Sequence, residues 1–198
     1  MYENNFIHDR LLTITMFRLI IFLSCLFLYN TKLSSNDIGS VTGYKIPRFV
    51  SLKSDDSNLR IGPSTNYPII LKYNTQNYPV KIIDEHENWR KIYDINANEG
   101  WINKNLVKGE RFAIIIPSKT LDKNAEIFSK PKGKLIGTIG RLNIVKINIC
   151  LIDWCKISYQ KYKGWIKKND IWGSNQDETI NIPFYQSLIN LIWKINLF

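Results

Sequence analysis

This sequence predicts an all-β protein built from two tandem five-stranded barrels, and three observations lead there. First, the chain repeats itself. "PVKIIDEHENWRKIYDINANEGWINKNL" (79–106) returns as "IVKINICLIDWCKISYQKYKGWIKKNDI" (144–171), which sets Trp89 on Trp154, Gly100-Trp101-Ile102 on Gly164-Trp165-Ile166 and Lys104-Asn105 on Lys168-Asn169 at an offset of 64 to 65 residues. Second, each copy is a string of short β-branched runs with period-two alternation, separated by turn residues. Third, a composition of 44% hydrophobic and 13% aromatic residues supplies a core, which a disordered chain would lack.

The elements follow in order. In the first copy, alternation predicts strands at 49–53, 69–73, 79–84, 89–93 and 100–103; in the second, at 111–116, 135–139, 144–149, 154–158 and 164–167. Five short strands at this spacing make a small barrel, and about sixty residues bury only a marginal core, so two barrels packed end to end support each other. The stretch "NLRIGPSTNYP" (58–68) reads as a loop of fixed shape. Gly62 and Pro63 are its shaping residues, Gly62 through backbone angles that a side chain forbids and Pro63 by stiffening the next step. A looser repeat match, at an offset of 68, joins 59–63 to 127–131.

The chain ends read differently. Arg18 precedes the eleven-residue run "LIIFLSCLFLY" (19–29), which fits a signal-peptide core and falls short of the ~20 residues that span a bilayer. Residues 1–35 are therefore read as a signal peptide, with Met16 an alternative start and an uncleaved anchor the competing reading. At the other end, Phe184, Leu188, Leu191, Ile192, Ile195 and Phe198 recur at helical spacing within 179–198. Such a tail is an amphipathic helix that docks on the second barrel or makes peripheral contact with a membrane or partner, or it is disordered.

Two cysteines remain after the signal segment, Cys150 and Cys155, and an even, close pair in an exported chain reads as a disulfide. Strict alternation puts Cys150 on the face opposite Val145, Ile147 and Ile149, so pairing needs a bulge or twisted turn; two reduced thiols are the alternative. The net charge of +10 is uneven, with +2 over 44–107 and +9 over 108–172. A basic half suits anionic partners, whereas a general lysine bias spread over solvated faces explains it as well.

The pattern Asn58-Leu59-Arg60-x-Gly62-Pro63-Ser64, a following Tyr67-Pro68, then "NWRKI" and "EGWI", resembles bacterial SH3-like domains. The doubled form, ending in Trp172-Gly173, resembles the exported tandem SH3-like proteins of alphaproteobacteria, with barrels at 48–108 and 109–173. Ile61 replaces the usual small residue, and the second copy, "IFSKP", has no Arg-x-Gly-Pro. The resemblance implies that the 58–68 loop folds over one barrel edge and that an extended peptide binds across it, which makes Arg60, Tyr67, Trp89 and Trp101 the candidate ligand contacts. Each has a structural alternative: Arg60 paired with Asp84, Glu85 or Glu99, and the tryptophans in the core or between the barrels, with Trp89 and Trp154 the ones that alternation leaves exposed. The first barrel is expected to do any binding and the second to support it.

The functional expectation is an exported binding module of the periplasm and cell envelope that holds peptidoglycan peptide or another wall component. The alternative is a scaffold that binds an envelope protein or a membrane surface. Catalysis is not expected, because His86 and a cysteine pair lack the third group of a nucleophilic site and no phosphate-cradling glycine loop is present. No cofactor is expected either, and Cys150, Cys155 and His86 are too few for a structural zinc site. Nucleic acid is not an expected partner of an exported chain despite the charge.

Overall fold

Alternating apolar residues give each repeat the same set of short strands. The computed structural model describes residues 38–118 and 123–183, together with Met16 and Arg18. The chain divides into Met1–Asn36, within which Met16 and Arg18 are helical, and Asp37–Phe198, which holds both repeats. Most of the proposed signal segment and the tail from residue 184 onward lie outside the described residues. No helix among the described residues is long and apolar enough to cross a membrane.

The first repeat comprises β1 (Arg48–Leu52), β2 (Ser57–Arg60), β3 (Ile69–Tyr73), β4 (Pro79–His86), β5 (Trp89–Tyr93), β6 (Glu99–Asn103) and β7 (Val107–Lys108). The second comprises β8 (Phe112–Ile115), β9 (Asn124–Phe128), β10 (Leu135–Gly140), β11 (Ile144–Cys150), β12 (Trp154–Tyr159), β13 (Tyr162–Lys167) and β14 (Ile171–Trp172). Both sheets are antiparallel and share one topology, β3-β2-β6-β5-β4-β1-β7 and β10-β9-β13-β12-β11-β8-β14. The all-β tandem architecture is thus as expected, with two more strands in each sheet than the five predicted. β2 and β9 fall where alternation is short and broken, and β7 and β14 have two residues each, too few to show a period.

Each barrel has its own core. Val50, Leu52, Leu59, Val80, Ile82, Ile92 and Ile102 cluster in the first, and Ala113, Ile115, Val145, Ile147, Ile157 and Ile166 at related positions in the second. In β4, Val80 and Ile82 point inward; a register shift between Ile82 and Asp84 then adds one residue, so that Glu85 rather than Asp84 turns in and pairs with Arg90 across the hairpin. The same shift lies between Ile147 and Ile149 in β11, and it brings Cys150 opposite Cys155. This is the bulge that the disulfide required, and the Cys150–Cys155 bond is formed with the Cα atoms 4.1 Å apart.

Equivalent hairpin positions are therefore stapled by an ion pair in one barrel and a disulfide in the other. The Glu85 side chain is fully buried, and its carboxylate accepts from the Thr42 amide at 2.8 Å, the Thr42 hydroxyl at 2.8 Å and Arg48 at 3.1 Å, with Arg90 Nε at 3.5 Å. The Ser40 hydroxyl donates to the Glu85 carbonyl, which fastens the segment before β1 over the hairpin. A Cβ on Gly39 would stand 2.5 Å from the Glu85 carboxylate, so only glycine allows this approach. On the second barrel, Ile180 pairs by backbone with Cys150, and Lys168, buried, donates to the carbonyls of Gln176 and Glu178.

The barrels meet through Phe49, which is buried on β1. Its ring packs edge-on to Trp172 at 4.9 Å and carries the Lys81 ammonium at 4.5 Å and the Arg111 guanidinium at 5.7 Å. Burial lowers the Lys81 pKa, with Glu178 opposing it. Arg111 donates to both Glu178 oxygens, at 2.5 and 3.0 Å, and to the Gly173 carbonyl at 2.7 Å, while the Phe112 amide donates to the Ser51 hydroxyl. Gly173, at φ 151°, lies against the backbone of Phe112 and Ala113, where a Cβ has no room. The terminal Trp172-Gly173 doublet thus closes the second barrel and docks it on the first.

Burial pushes the Glu85 carboxyl up, but the hydrogen bonds from Thr42 and Arg48 and the charge of Arg90 outweigh it and hold the group below its ordinary value. A carboxyl depressed in the folded state contributes stability above its unfolded value of about 4.3, and that stability is lost as pH falls through the folded value. In Glu85→Gln, stability at neutral pH is expected to drop by about 3 kcal/mol and its decline below about pH 4.3 to flatten, as read from denaturant unfolding across pH. Reduction of the disulfide is expected to cost about 2 kcal/mol, the value for so short a loop, and to leave the acid response intact. An unchanged unfolding midpoint after reduction would contradict the second statement.

Candidate functional site

The Asn58-to-Pro68 stretch is only partly a loop. Asn58, Leu59 and Arg60 belong to β2, with Leu59 wholly buried in the core, and the turn proper begins at Ile61. Gly62 is not among the residues with positive φ, so its expected conformational role does not hold. The constraint is space: a Cβ there would stand 2.6 Å from the Tyr67 ring, which lies flat against the glycine. Arg60 locks the same turn from the other side, because its guanidinium donates to the Tyr67 carbonyl at 2.7 Å. None of Asp84, Glu85 and Glu99 takes Arg60 as an ion-pair partner; Glu85 is held by Arg48 and Arg90, and Glu99 by Lys91.

Sheet register assembles the rest of the site. Arg60 stands opposite Trp101, Lys91 opposite Trp101, and Trp89 opposite Asn103. Paired residues share a face, and so do residues two apart, so Arg60, Trp101, Asn103 and Trp89 lie on one face of β2-β6-β5. A cleft of about 360 Å³ opens there, lined by Asn58, Arg60, Thr65, Trp89, Asn103, Asn105 and Leu106. Trp89, 9% exposed, forms part of its wall, so alternation misjudges this residue as exposed: it faces away from the core and is nonetheless covered. Trp101 is half-buried beside the cleft with its ring edge-on to His86, and Tyr67, 46% exposed, stands outside it on the turn. The Asn103 side chain accepts from the Asn105 amide, which orders the short 3₁₀ turn Lys104–Leu106 at the cleft's rim. The cleft thus offers one cation, three amide side chains and an indole, a set that suits a polar, extended ligand.

A comparison with protein families decides the relationship. The profile described as "Bacterial SH3 domain" matches residues 53–109 and again 127–173, more than half of the chain. The chain belongs to this family. No curated protein matches it. Similar solved structures include NlpC2 from Trichomonas vaginalis, at 15% identity and TM-score 0.29, with 74% of this chain and 55% of that one covered. NlpC1 from the same organism follows at 17% and 0.27, covering 68% and 48%. An NlpC/P60 family protein from Bacillus cereus stands at 13% and 0.28, covering 72% and 61%. The chain spans about half to three-fifths of those proteins, and likenesses this distant carry no functional argument.

The two bacterial SH3 barrels differ at the site. Phe128 takes the place of Arg60, since it stands opposite Trp165 as Arg60 stands opposite Trp101. Its ring packs edge-on to Trp154 at 5.2 Å, with the Lys167 ammonium 5.9 Å away. An aromatic cluster thus stands where the first barrel has an arginine cleft. Among the described residues, no group of three or more His, Cys, Asp or Glu side chains converges as a metal site would require. Asn58, Thr65, Asn103, Asn105 and Leu106 were not anticipated; the sole hint was the Lys-Asn repeat after "GWI", which marks the 3₁₀ turn in both copies.

The contact between Gly62 and Tyr67 predicts a coupling. Gly62→Ala is expected to destabilise the chain by about 1 kcal/mol and to be near neutral in a Tyr67→Ala background. Equal costs in both backgrounds, measured by urea unfolding, would mean that the glycine serves something other than the ring.

Proposed function

We propose that the chain is an exported, non-catalytic binding module associated with the cell wall, and that the Arg60–Trp89 cleft of its first barrel holds a peptidoglycan stem peptide or another wall component. The observation that carries this reading is the convergence of Arg60, Trp89, Asn58, Asn103 and Asn105 on one cleft beside the turn that Arg60 itself braces. Amide side chains satisfy a peptide's backbone groups, a guanidinium pairs with a carboxylate, and the indole gives a flat wall. Membership in the bacterial SH3 family supports wall-related binding in general. The Cys150–Cys155 bond supports an oxidising compartment, of which the periplasm is our choice.

Co-sedimentation with purified peptidoglycan sacculi across increasing salt tests the reading. Binding is expected to persist at moderate salt and to weaken about tenfold in Asn58→Ala, Arg60→Ala. No binding, or binding that the substitutions leave intact, would turn the search toward a protein ligand.

A further inference from the structure

The second barrel carries a groove of its own, on a different edge from the cleft. It is lined by Ile127, Ile136, Ile139, Ile157, Tyr159 and Tyr162 among others, with Gly137, Gly164 and Lys163, and encloses about 380 Å³. Register explains it. β3 and β10 pair with β2 and β9 in the same way, so Leu71 and Leu59 correspond to Gly137 and Ile127, and Tyr73 and Ser57 to Ile139 and Ala125. In the first barrel, Tyr73 is buried at this edge with its hydroxyl on Asp94 at 3.1 Å, and Leu71 packs on the core. In the second, glycine and isoleucine leave that volume open.

The rim of the groove is apolar and basic together. Ile136 and Tyr162 are 53% and 64% exposed, and Leu142, next to the lining residue Asn143, is 64% exposed. The groove runs along β10, with the turn at 129–134 at one end and Arg141 at the other. That turn carries Lys130, Lys132 and Lys134; Lys163 lines the groove, and the Lys161 ammonium lies 5.5 Å from the Tyr162 ring. None of these six cations pairs with a carboxylate among the described residues. Within strands β9 to β13 Glu126 is the single acidic residue, and Asp153 lies in the turn between β11 and β12. Exposed aliphatic and aromatic side chains amid unneutralised lysines match a surface that is apolar within and anionic without.

We infer that this edge of the second barrel docks on anionic phospholipid membranes, with Ile136, Leu142 and Tyr162 entering the interface and the surrounding lysines and Arg141 meeting headgroup phosphates. Charge complementarity selects this occupant, since a neutral peptide would leave six cations unmatched. The inference does not rest on the wall-binding reading of the first barrel.

A local readout tests it, independently of any membrane affinity of the chain ends. In the full chain carrying Cys25→Ser, the environment-sensitive dye NBD is attached at Tyr162→Cys or, as control, at Thr75→Cys on the first barrel. The expected result is a blue-shifted emission at position 162 with vesicles of phosphatidylglycerol and phosphatidylcholine, none with phosphatidylcholine alone, and none at position 75. Lys132→Glu, Lys134→Glu, Lys163→Glu together are expected to lower apparent partitioning at least about tenfold. The inference is overturned if position 162 stays unshifted while the chain co-sediments, or if neutral vesicles act equally. It also fails if only a soluble anionic polysaccharide produces the shift.

Discussion

The bulge in the fourth strand of each barrel is the constraint on which the rest depends. Without the extra residue after Ile82 or Ile147, strict alternation would send Glu85 and Cys150 to solvent. With it, a polar and a sulfur side chain enter positions otherwise suited to isoleucine, and each must find a partner directly across the hairpin. Arg90 and Cys155 are those partners. The buried carboxylate then recruits Thr42 and Arg48, which fixes the segment leading into β1. On the second barrel, the backbone of Cys150 receives Ile180, which fixes the segment leaving β14. The entry and exit of the paired barrels are thus organised by the same irregularity.

Repetition and alternation made most of the fold legible, because both are properties of neighbouring residues. The strands β4, β5, β11 and β12 announce themselves by Val80, Ile82, Ile92, Val145, Ile147 and Ile157. What stayed hidden depends on residues far apart in the chain. Phe49 looked like an ordinary strand residue, yet it bears Trp172, Lys81 and Arg111, none of them its sequence neighbours. β2 reads as part of the loop because its four residues, Ser57–Arg60, are too few to display a period, although their pairing with β3 and β6 is unambiguous in space. The bulges break the alternation rule within the strands that otherwise obey it best.

The candidate cleft was legible in part, and the reason is chemical. Arg60 and Trp89 stand out as residue types, so they were found without knowledge of their geometry. Asn58, Asn103 and Asn105 are lost in an asparagine-rich chain, and only the register of β2, β5 and β6 sets them apart. Arg60 also has a double role that no spacing reveals, since one of its nitrogens braces the Tyr67 carbonyl while the residue lines the cleft. The second barrel kept the scaffold and exchanged this arginine for Phe128, while Gly137 and Ile139 opened a groove elsewhere on it.

Two units of one topology in a single chain carry a characteristic hazard, in which a hairpin strand of one unit completes the sheet of the other during folding. The unlike staples answer it. A fourth strand bearing Glu85 that met Cys155 would bury a carboxylate without Arg90, and one bearing Cys150 that met Arg90 would leave a buried guanidinium without its carboxylate. Every crossed pairing is penalised and each native one rewarded, so the difference between carboxylate–guanidinium and sulfur–sulfur works as a lock-and-key label that tells each strand which barrel is its own.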